Sequence, residues 1–394
     1  MKKPELLAPV GSFPALISAI NAGADAVYLG LKEFNMRNSA RNFSISELKR
    51  IRGICKKQDI KVYLTLNTII YDNEIKKLEK IIKQIKSKNL TDAIICWDLS
   101  VIQLCKKYKI PFHISTQASI SNSKSAEFYK KLGAQRIILA RELNLKQIKN
   151  ISKIIPIEIF IHGAMCVSVS GRCFTSQFLF NKSANRGQCM HPCRREYTVT
   201  DEEGNNLKVK NNYIFSAKDL CSLPFIEKLK KSGISSFKIE GRNRSPEYVD
   251  IVVRVYRKAI DKKLTKEQIT YELNELKKVY NKGFSSGFLI KTPTSDDFSN
   301  KEHSSSTQNK QFIGKIEHHF SKKQVAAIKI LTGELNLGDE ILIIGNKTGV
   351  RKHIIERMEI NKKSVKKAKK PQYVGIKIPG VKENDEVYKI IKRN

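Results

Sequence analysis

The chain has 394 residues, 41% of them apolar, with 73 Lys and Arg against 38 Asp and Glu. That length can bury a large core, most simply over two domains, and a formal charge of +35 favours a polyanionic partner, nucleic acid before a membrane surface. No run approaches the roughly 18 apolar residues of a membrane span, and the opening MKKPELLAPVGSF lacks the apolar core of a secretory signal. The expected compartment is therefore the cytoplasm, where clustered cysteines are read as metal ligands or redox groups before disulfides.

From the N-terminus, short apolar runs alternate with amphipathic segments. Strands are expected at Glu5–Val10, Asp25–Gly30, Lys61–Leu66, Ala93–Asp98, Phe112–Thr116, Arg136–Arg141, Ile157–His162 and Ser236–Gly241. Between the first seven lie Phe13–Ala22, Ile45–Lys57, Glu74–Lys86, Ser100–Tyr108, Lys124–Leu132 and Leu145–Ile151, most with apolar residues at helical spacing. Leu223–Lys231 precedes the eighth strand and Pro246–Asp261 closes the series. Eight β-then-α units predict an α/β fold, a closed parallel (β/α)₈ barrel of TIM-barrel type over residues 1–291, with an open doubly wound sheet as the alternative.

Residues 292–310, TPTSDDFSNKEHSSSTQNK, have the composition of a linker. Residues 311–394 change to short alternating runs separated by Gly333, Gly338 and Gly345, the pattern of a small antiparallel β-barrel. Within it Lys362, Lys363, Lys366, Lys367, Lys369 and Lys370 form a basic run, either a solvated loop or a contact to an RNA backbone.

Between the seventh and eighth expected strands lies an insertion, about residues 163–221, that holds Cys166, Cys173, Cys189, Cys193 and Cys221 among glycines and arginines. A segment so poor in core-forming residues needs another support, and a thiolate-bound metal centre is the evident one. Cys55, Cys96 and Cys105 fall in ordinary helix or strand patterns and are read as buried thiols. In a (β/α)₈ barrel the reacting groups sit at the carboxyl ends of the strands. Those ends carry Asn67, Asp98, Thr116 and Gln117, Arg141 and Glu142, His162, and Glu240 with Arg242.

The run Glu158-x-Phe160-x-x-Gly163-Ala164-Met165-Cys166-x4-Gly171-x-Cys173 resembles the signature of the collagenase-like peptidase family of unassigned catalytic type. ELLAPVGSFPALISAINAGADAVYLG, HISTQASISNSKSAEFYKKLGAQRIILARELNL and SAKDLCSLPFIEKLKKSGISSFKIEGR resemble further blocks of that family, so the likeness covers roughly residues 4–290. The chain shows no nucleophile-elbow pattern and no HExxH helix, which gives peptide hydrolysis little chemical footing. Oxygen-inserting relatives offer another expectation. They include prephenate-dependent tRNA hydroxylases that make 5-hydroxyuridine at the wobble position, and length and the trailing β domain favour these.

That resemblance implies a cytoplasmic RNA-modifying enzyme with tRNA and prephenate as partners, and a [4Fe-4S] cluster. By likeness to cluster-bearing relatives the ligands are Cys166, Cys173, Cys189 and Cys221, with Cys193 as the alternative fourth, and zinc is the rival metal. The two carboxylates of prephenate would call for arginine forks, with Arg172, Arg186, Arg194 and Arg242 as candidates and Lys238 beside them. His162 and Glu240 are the candidate proton carriers. Asn67, Gln117 and Glu142 join them as rim positions. Whether a second protein completes the site stays open at this level.

Overall fold

The structure is a computed structural model and describes residues 3–38, 40–206 and 213–393. Its first layer is the strand ring β1 (Glu5–Pro9), β2 (Ala26–Gly30), β3 (Lys61–Thr65), β4 (Ala93–Cys96), β5 (Phe112–Ile114), β6 (Arg136–Ile138), β7 (Ile157–Gly163) and, after the short β8 (Asp219–Cys221), β9 (Ser236–Ile239). Neighbours from β1 to β7 pair in order and in parallel. β9 pairs in parallel with both β7 and β1, which closes an eight-stranded barrel. Parallel strands covered on both faces must be apolar nearly throughout, and all five residues of β2, AVYLG, are buried.

The outer layer is α1 (Phe13–Asn21), α2 (Ile45–Lys56), α3 (Ile75–Ser87), α4 (Leu99–Lys107), α5 (Ser123–Leu132), α6 (Leu145–Ser152), α7 (Thr175–Phe180), α8 (Ile226–Lys230), α9 (Pro246–Asp261) and α10 (Lys266–Lys277). Of these, α7 belongs to the insertion. Local chemistry fixes several starts: Ser44 and Glu47 form a capping box on α2, and Asn144 and Gln147 do so on α6, each satisfying amides the helix leaves unpaired. The helix α10, which opens on a Thr265–Gln268 capping box, was not anticipated.

The barrel interior is charged. Lys238 meets Glu158 at 2.9 Å, Glu158 meets Arg136 at 3.1 Å, and Arg136 meets Glu5 at 2.6 Å. Burial raises the Glu158 carboxyl, but Lys238 and Arg136 outweigh it and hold the group ionised.

The strand β8 runs antiparallel to β7, with His162 opposite Cys221, and carries the two-residue β10 (Phe284–Ser285) on its other side. The expected linker is tied down. Ser299 is fully buried and its amide bonds the Ser216 carbonyl at 2.6 Å, and the next strand starts at Gln308, inside the range read as linker.

The C-terminal region contains β11 (Gln308–Phe320), β12 (Val325–Ile330), β13 (Glu334–Asn336), β14 (Glu340–Gly345), β15 (Gly349–Ile354), β16 (Met358–Ile360), β17 (Lys363–Val365), β18 (Lys367–Lys369), β19 (Tyr373–Lys377) and β20 (Glu386–Lys392). Eight of them form one antiparallel sheet in the order β15-β14-β20-β11-β12-β19-β16-β17, and β13 pairs with β18. This is the expected small antiparallel β domain: the sheet encloses its own core, with β15 and β17 at the two ends of the strand order among the described residues. β15 also joins the two domains. It lies against α1 of the first domain, so closely that a Cβ on Gly349 would stand 3.0 Å from Cγ2 of Ile17. No helix among the described residues is long and apolar enough to cross a membrane.

Candidate active site at the barrel mouth

The carboxyl ends of the barrel strands enclose a cavity of about 60 Å³, room for roughly four to six waters. Tyr28, Thr65, Asn67, Gln117, Arg141 and Phe160 line it, together with Lys238, Glu240 and Arg242 from the end of β9 and Arg37 from the loop after β2. Glu240 is its hub. Arg37 donates to it from Nε and Nη2 at 3.3 and 3.2 Å, and Arg141 stands 3.7 Å away. Burial pushes the Glu240 carboxyl up, yet Arg37 and Arg141 outweigh that and hold it below the usual carboxylate range.

Arg242 differs from these paired groups. It is buried and, among the described residues, donates to neutral oxygens, those of Thr65 at 3.0 Å, Asn35 at 2.8 Å and Asn42 at 2.6 Å. Its Nε has no hydrogen-bond partner among the described residues. Burial lowers its pKa to about 10, which still leaves it protonated at neutral pH. Arg37, Arg141 and Arg242 therefore face one carboxylate, Glu240, because Lys238 is matched by Glu158. A buried cationic excess of this kind is costly unless an anion completes it.

The insertion roofs this cavity. Cys166 stands close enough for its thiolate to bear on two cavity guanidinium groups, Arg37, raised chiefly by Glu240, and Arg141, lowered by burial. Cys193 is raised by its own burial, with Arg194 opposing and Cys166, Cys189 and Cys173 adding to the rise. These four cysteines thus form one neighbourhood. Cys173 accepts from the Thr175 amide at 3.4 Å, and its own amide donates to Asn185 at 3.0 Å. Cys221 stands apart, buried in β8, its thiol pushed up to about 11 by burial although its sulfur accepts from the Tyr256 hydroxyl at 3.7 Å, which opposes the rise.

The donor chemistry of these thiols would suit an iron–sulfur cluster or zinc alike, with Cys221 and Cys193 as the alternative fourth ligands. Among the described residues no three His, Cys, Asp or Glu side chains are gathered to hold a single ion.

Of the expected site residues, Asn67, Gln117, Glu240, Arg242 and Lys238 converge on the cavity. Asn67 donates to Gln117 at 3.3 Å, so the two amides orient each other. His162 does not join them. The pairing of β7 with β9 shifts register between Phe160 and His162, and this bulge breaks the alternation that would have aimed residues 158, 160 and 162 at one face. His162 instead packs among Tyr248, Tyr256 and Phe284, Nδ1 3.3 Å from the Tyr256 hydroxyl. Burial lowers it to about 3, a neutral structural histidine.

Glu142 lies outside the cavity, accepting from the Ser170 amide at 3.4 Å. Lys238 is engaged by Glu158, as noted. Arg186 clamps Glu74, with Nη1 at 2.8 Å, and also bonds the Ile69 carbonyl. Arg194 braces the carbonyls of Met165 and Ala217, each at 2.6 Å. Both hold the insertion in place rather than face the cavity. Arg172 is exposed, donating to Ser119 at 3.1 Å. The residues missed are Arg37 and the ion-pairing role of Arg141. Arg141 ends a strand and so was visible in the pattern. Arg37 lies in an irregular loop that no periodicity marks.

A model of peptidase family U32 matches residues 11–299. The chain is 39% identical to a collagenase of Porphyromonas gingivalis, covering 99% of this chain and 98% of that one. It is 41% identical to an uncharacterized protease of Methanocaldococcus jannaschii, over 98% and 97% of the two chains. It is 34% identical to tRNA hydroxylation protein P1 of Bacillus subtilis, over 90% and 86%. With a barrel sealed by β9 and a cysteine-bearing insertion above its mouth, this chain belongs to peptidase family U32.

Proposed function

We propose that this chain hydroxylates the wobble uridine of tRNA to 5-hydroxyuridine, with prephenate as co-substrate and an iron–sulfur centre in the insertion. The observation that carries the reading is the cationic cavity with its buried Arg242, whose neighbours Arg37 and Arg141 lie within electrostatic reach of Cys166 in the cysteine-bearing insertion. A co-substrate with two carboxylates suits that excess of positive charge. The cavity admits one carboxylate end, and the remainder of such a molecule would extend towards the insertion. Asn67 and Gln117 offer amide groups for the edge of a uracil ring, and Glu240, ionised at the cavity, is placed to take a proton there. Cys166, Cys173, Cys189 and Cys193 would hold the cluster. When bound, such a cluster supplies one-electron redox chemistry beside the cavity.

The relatives named as tRNA hydroxylation proteins support this reading. Those named collagenase or protease support a second one, endopeptidase activity. The side chains favour the first. Nucleophilic peptide cleavage needs a nucleophile within reach of a base, and no serine, threonine or cysteine side chain among the described residues is hydrogen-bonded to a histidine. The test is expression in a bacterium deleted for its own tRNA hydroxylation protein, followed by nucleoside analysis of its tRNA. Restored 5-hydroxyuridine that depends on prephenate supply is the expected result. No restored nucleoside, together with gelatin cleavage by the purified chain, would transfer the assignment to the peptidase.

A further inference from the structure

The insertion exposes apolar side chains that a folded surface ordinarily hides. Phe178 is 83% exposed and Phe174 63%, and Val169, Leu179 and Met190 are each more than half exposed. The two phenylalanines lie side by side, ring centroids 6.1 Å apart at a tilt of 38°. Phe174 follows Cys173 directly and Phe178 comes one helical turn later on α7. The segment is joined to the barrel mouth by Ser170 bonding Ser119 at 2.8 Å and by Arg172 bonding Ser119. An aromatic pair this exposed, on a segment tied to the barrel mouth, asks for a partner.

The charge of the segment says which kind. From Ile159 to Arg195 there is no Asp or Glu, while Arg172, Lys182 and Arg195 stand exposed in the same segment as the phenylalanines. Arg195 lies over the Phe180 ring at 5.3 Å, and Arg172 lies 6.0 Å from the Trp97 ring. Rings interleaved with unopposed cations are how proteins grip unpaired nucleotides, stacking on each base and tracking the phosphates. A protein partner would have to bring both an apolar patch and the acidic residues this face lacks.

We propose that Phe174 and Phe178 form a stacking platform for unpaired bases flanking the target nucleotide, so that the insertion selects a single-stranded RNA loop over a duplex. This rests on the RNA-modifying reading and adds to it the surface that chooses the substrate. An exposed platform of this kind also gives a displaced neighbour somewhere to stack while the target base enters the mouth.

The test uses the full chain purified without oxygen and two labelled RNAs, a hairpin with an unpaired loop and a blunt duplex of equal length. Phe178→Ala is the informative variant, because so exposed a side chain contributes little to the core. Hairpin affinity is expected to fall about 10- to 100-fold, the loss typical of a stacked base. Duplex affinity, iron content and the salt slope of binding should be unchanged, and Phe178→Tyr should restore the hairpin. Unchanged hairpin affinity, or equal losses for hairpin and duplex, would overturn the platform. So would a variant that only converts a dimer to a monomer, which would mark the face as a contact between copies. If the wild-type chain itself fails to prefer the hairpin, the RNA-modifying reading falls with the platform. If it prefers the hairpin and Phe178→Ala does not matter, only the platform falls.

Discussion

A buried guanidinium hydrogen-bonded to neutral oxygens has no ion pair of its own, and Arg242 is held in that condition by Thr65, Asn35 and Asn42, sharing the one nearby carboxylate charge of Glu240 with Arg37 and Arg141. Lysine could carry the charge but not the fork. Arg242→Lys should therefore lower 5-hydroxyuridine formation about 10- to 100-fold, the scale of one lost charged hydrogen bond, and raise the co-substrate concentration needed. Nucleoside analysis across a prephenate titration checks this, and a variant of unchanged activity would remove Arg242 from the site. His162 makes the opposite case. Its pKa falls to about 3 in the folded chain from about 6.5 when unfolded, so the unfolded state binds the extra proton between those values. The stability its neutral form supports is complete above about pH 6.5 and is lost progressively as the pH falls towards 3. Replacing it by phenylalanine should leave activity at neutral pH intact and flatten the loss of stability between pH 6.5 and 4, as read by urea unfolding. A large loss of activity at neutral pH would return His162 to catalysis. Sequence alone could not separate these two residues, since both end barrel strands. What divides them is a one-residue bulge in β7 and the packing of α9 behind it.

At the scale of elements, the barrel was legible because buried parallel strands must be continuous apolar runs, and runs such as Leu6-Leu7-Ala8 or Ile94-Ile95 leave little alternative. The mouth residues followed from the rule that strand ends carry the chemistry. The insertion was legible only as a composition. Five cysteines raise the expectation of a centre, but spacing along the chain does not say which thiols would meet: Cys166, Cys173, Cys189 and Cys193 lie in the insertion around α7, while β8 carries Cys221 into the barrel wall. Cys193→Ser should therefore strip iron from protein purified without oxygen, whereas Cys221→Ser should retain it. Burial raises both thiols, so acidity does not choose between them. Iron and sulfide counted per chain decide the matter. Iron lost from Cys221→Ser and kept by Cys193→Ser would restore the set first read from the sequence. Arg186 predicts a milder effect: breaking its clamp on Glu74 should expose the insertion to proteolysis before the barrel.

Across the whole molecule, the surplus of positive charge and the C-terminal sheet belong to the same question. The sheet is fastened to the barrel by β15 against α1 and by Lys310 bonding Glu247 at 3.0 Å, so its exposed lysines are held in a set position relative to the mouth. Lys362, Lys363, Lys366, Lys369 and Lys370 are all exposed, and Lys367 is drawn to Glu334 at 2.7 Å. A solvated loop and a phosphate track look alike in sequence, and they differ in what salt does. Each phosphate contact releases counterions and adds about 0.9 to the slope of log affinity against log salt on a duplex, and about 0.7 on a single strand. Replacing Lys362, Lys363 and Lys366 by glutamine should thus weaken RNA binding at low salt and reduce the slope by roughly two, with little change in the preference for an unpaired loop. That pattern is the reverse of the one expected for Phe178→Ala, where the preference changes and the slope does not. An unaltered slope would return the lysine run to the role of a solvated edge, and RNA binding would then rest on the insertion and the mouth alone.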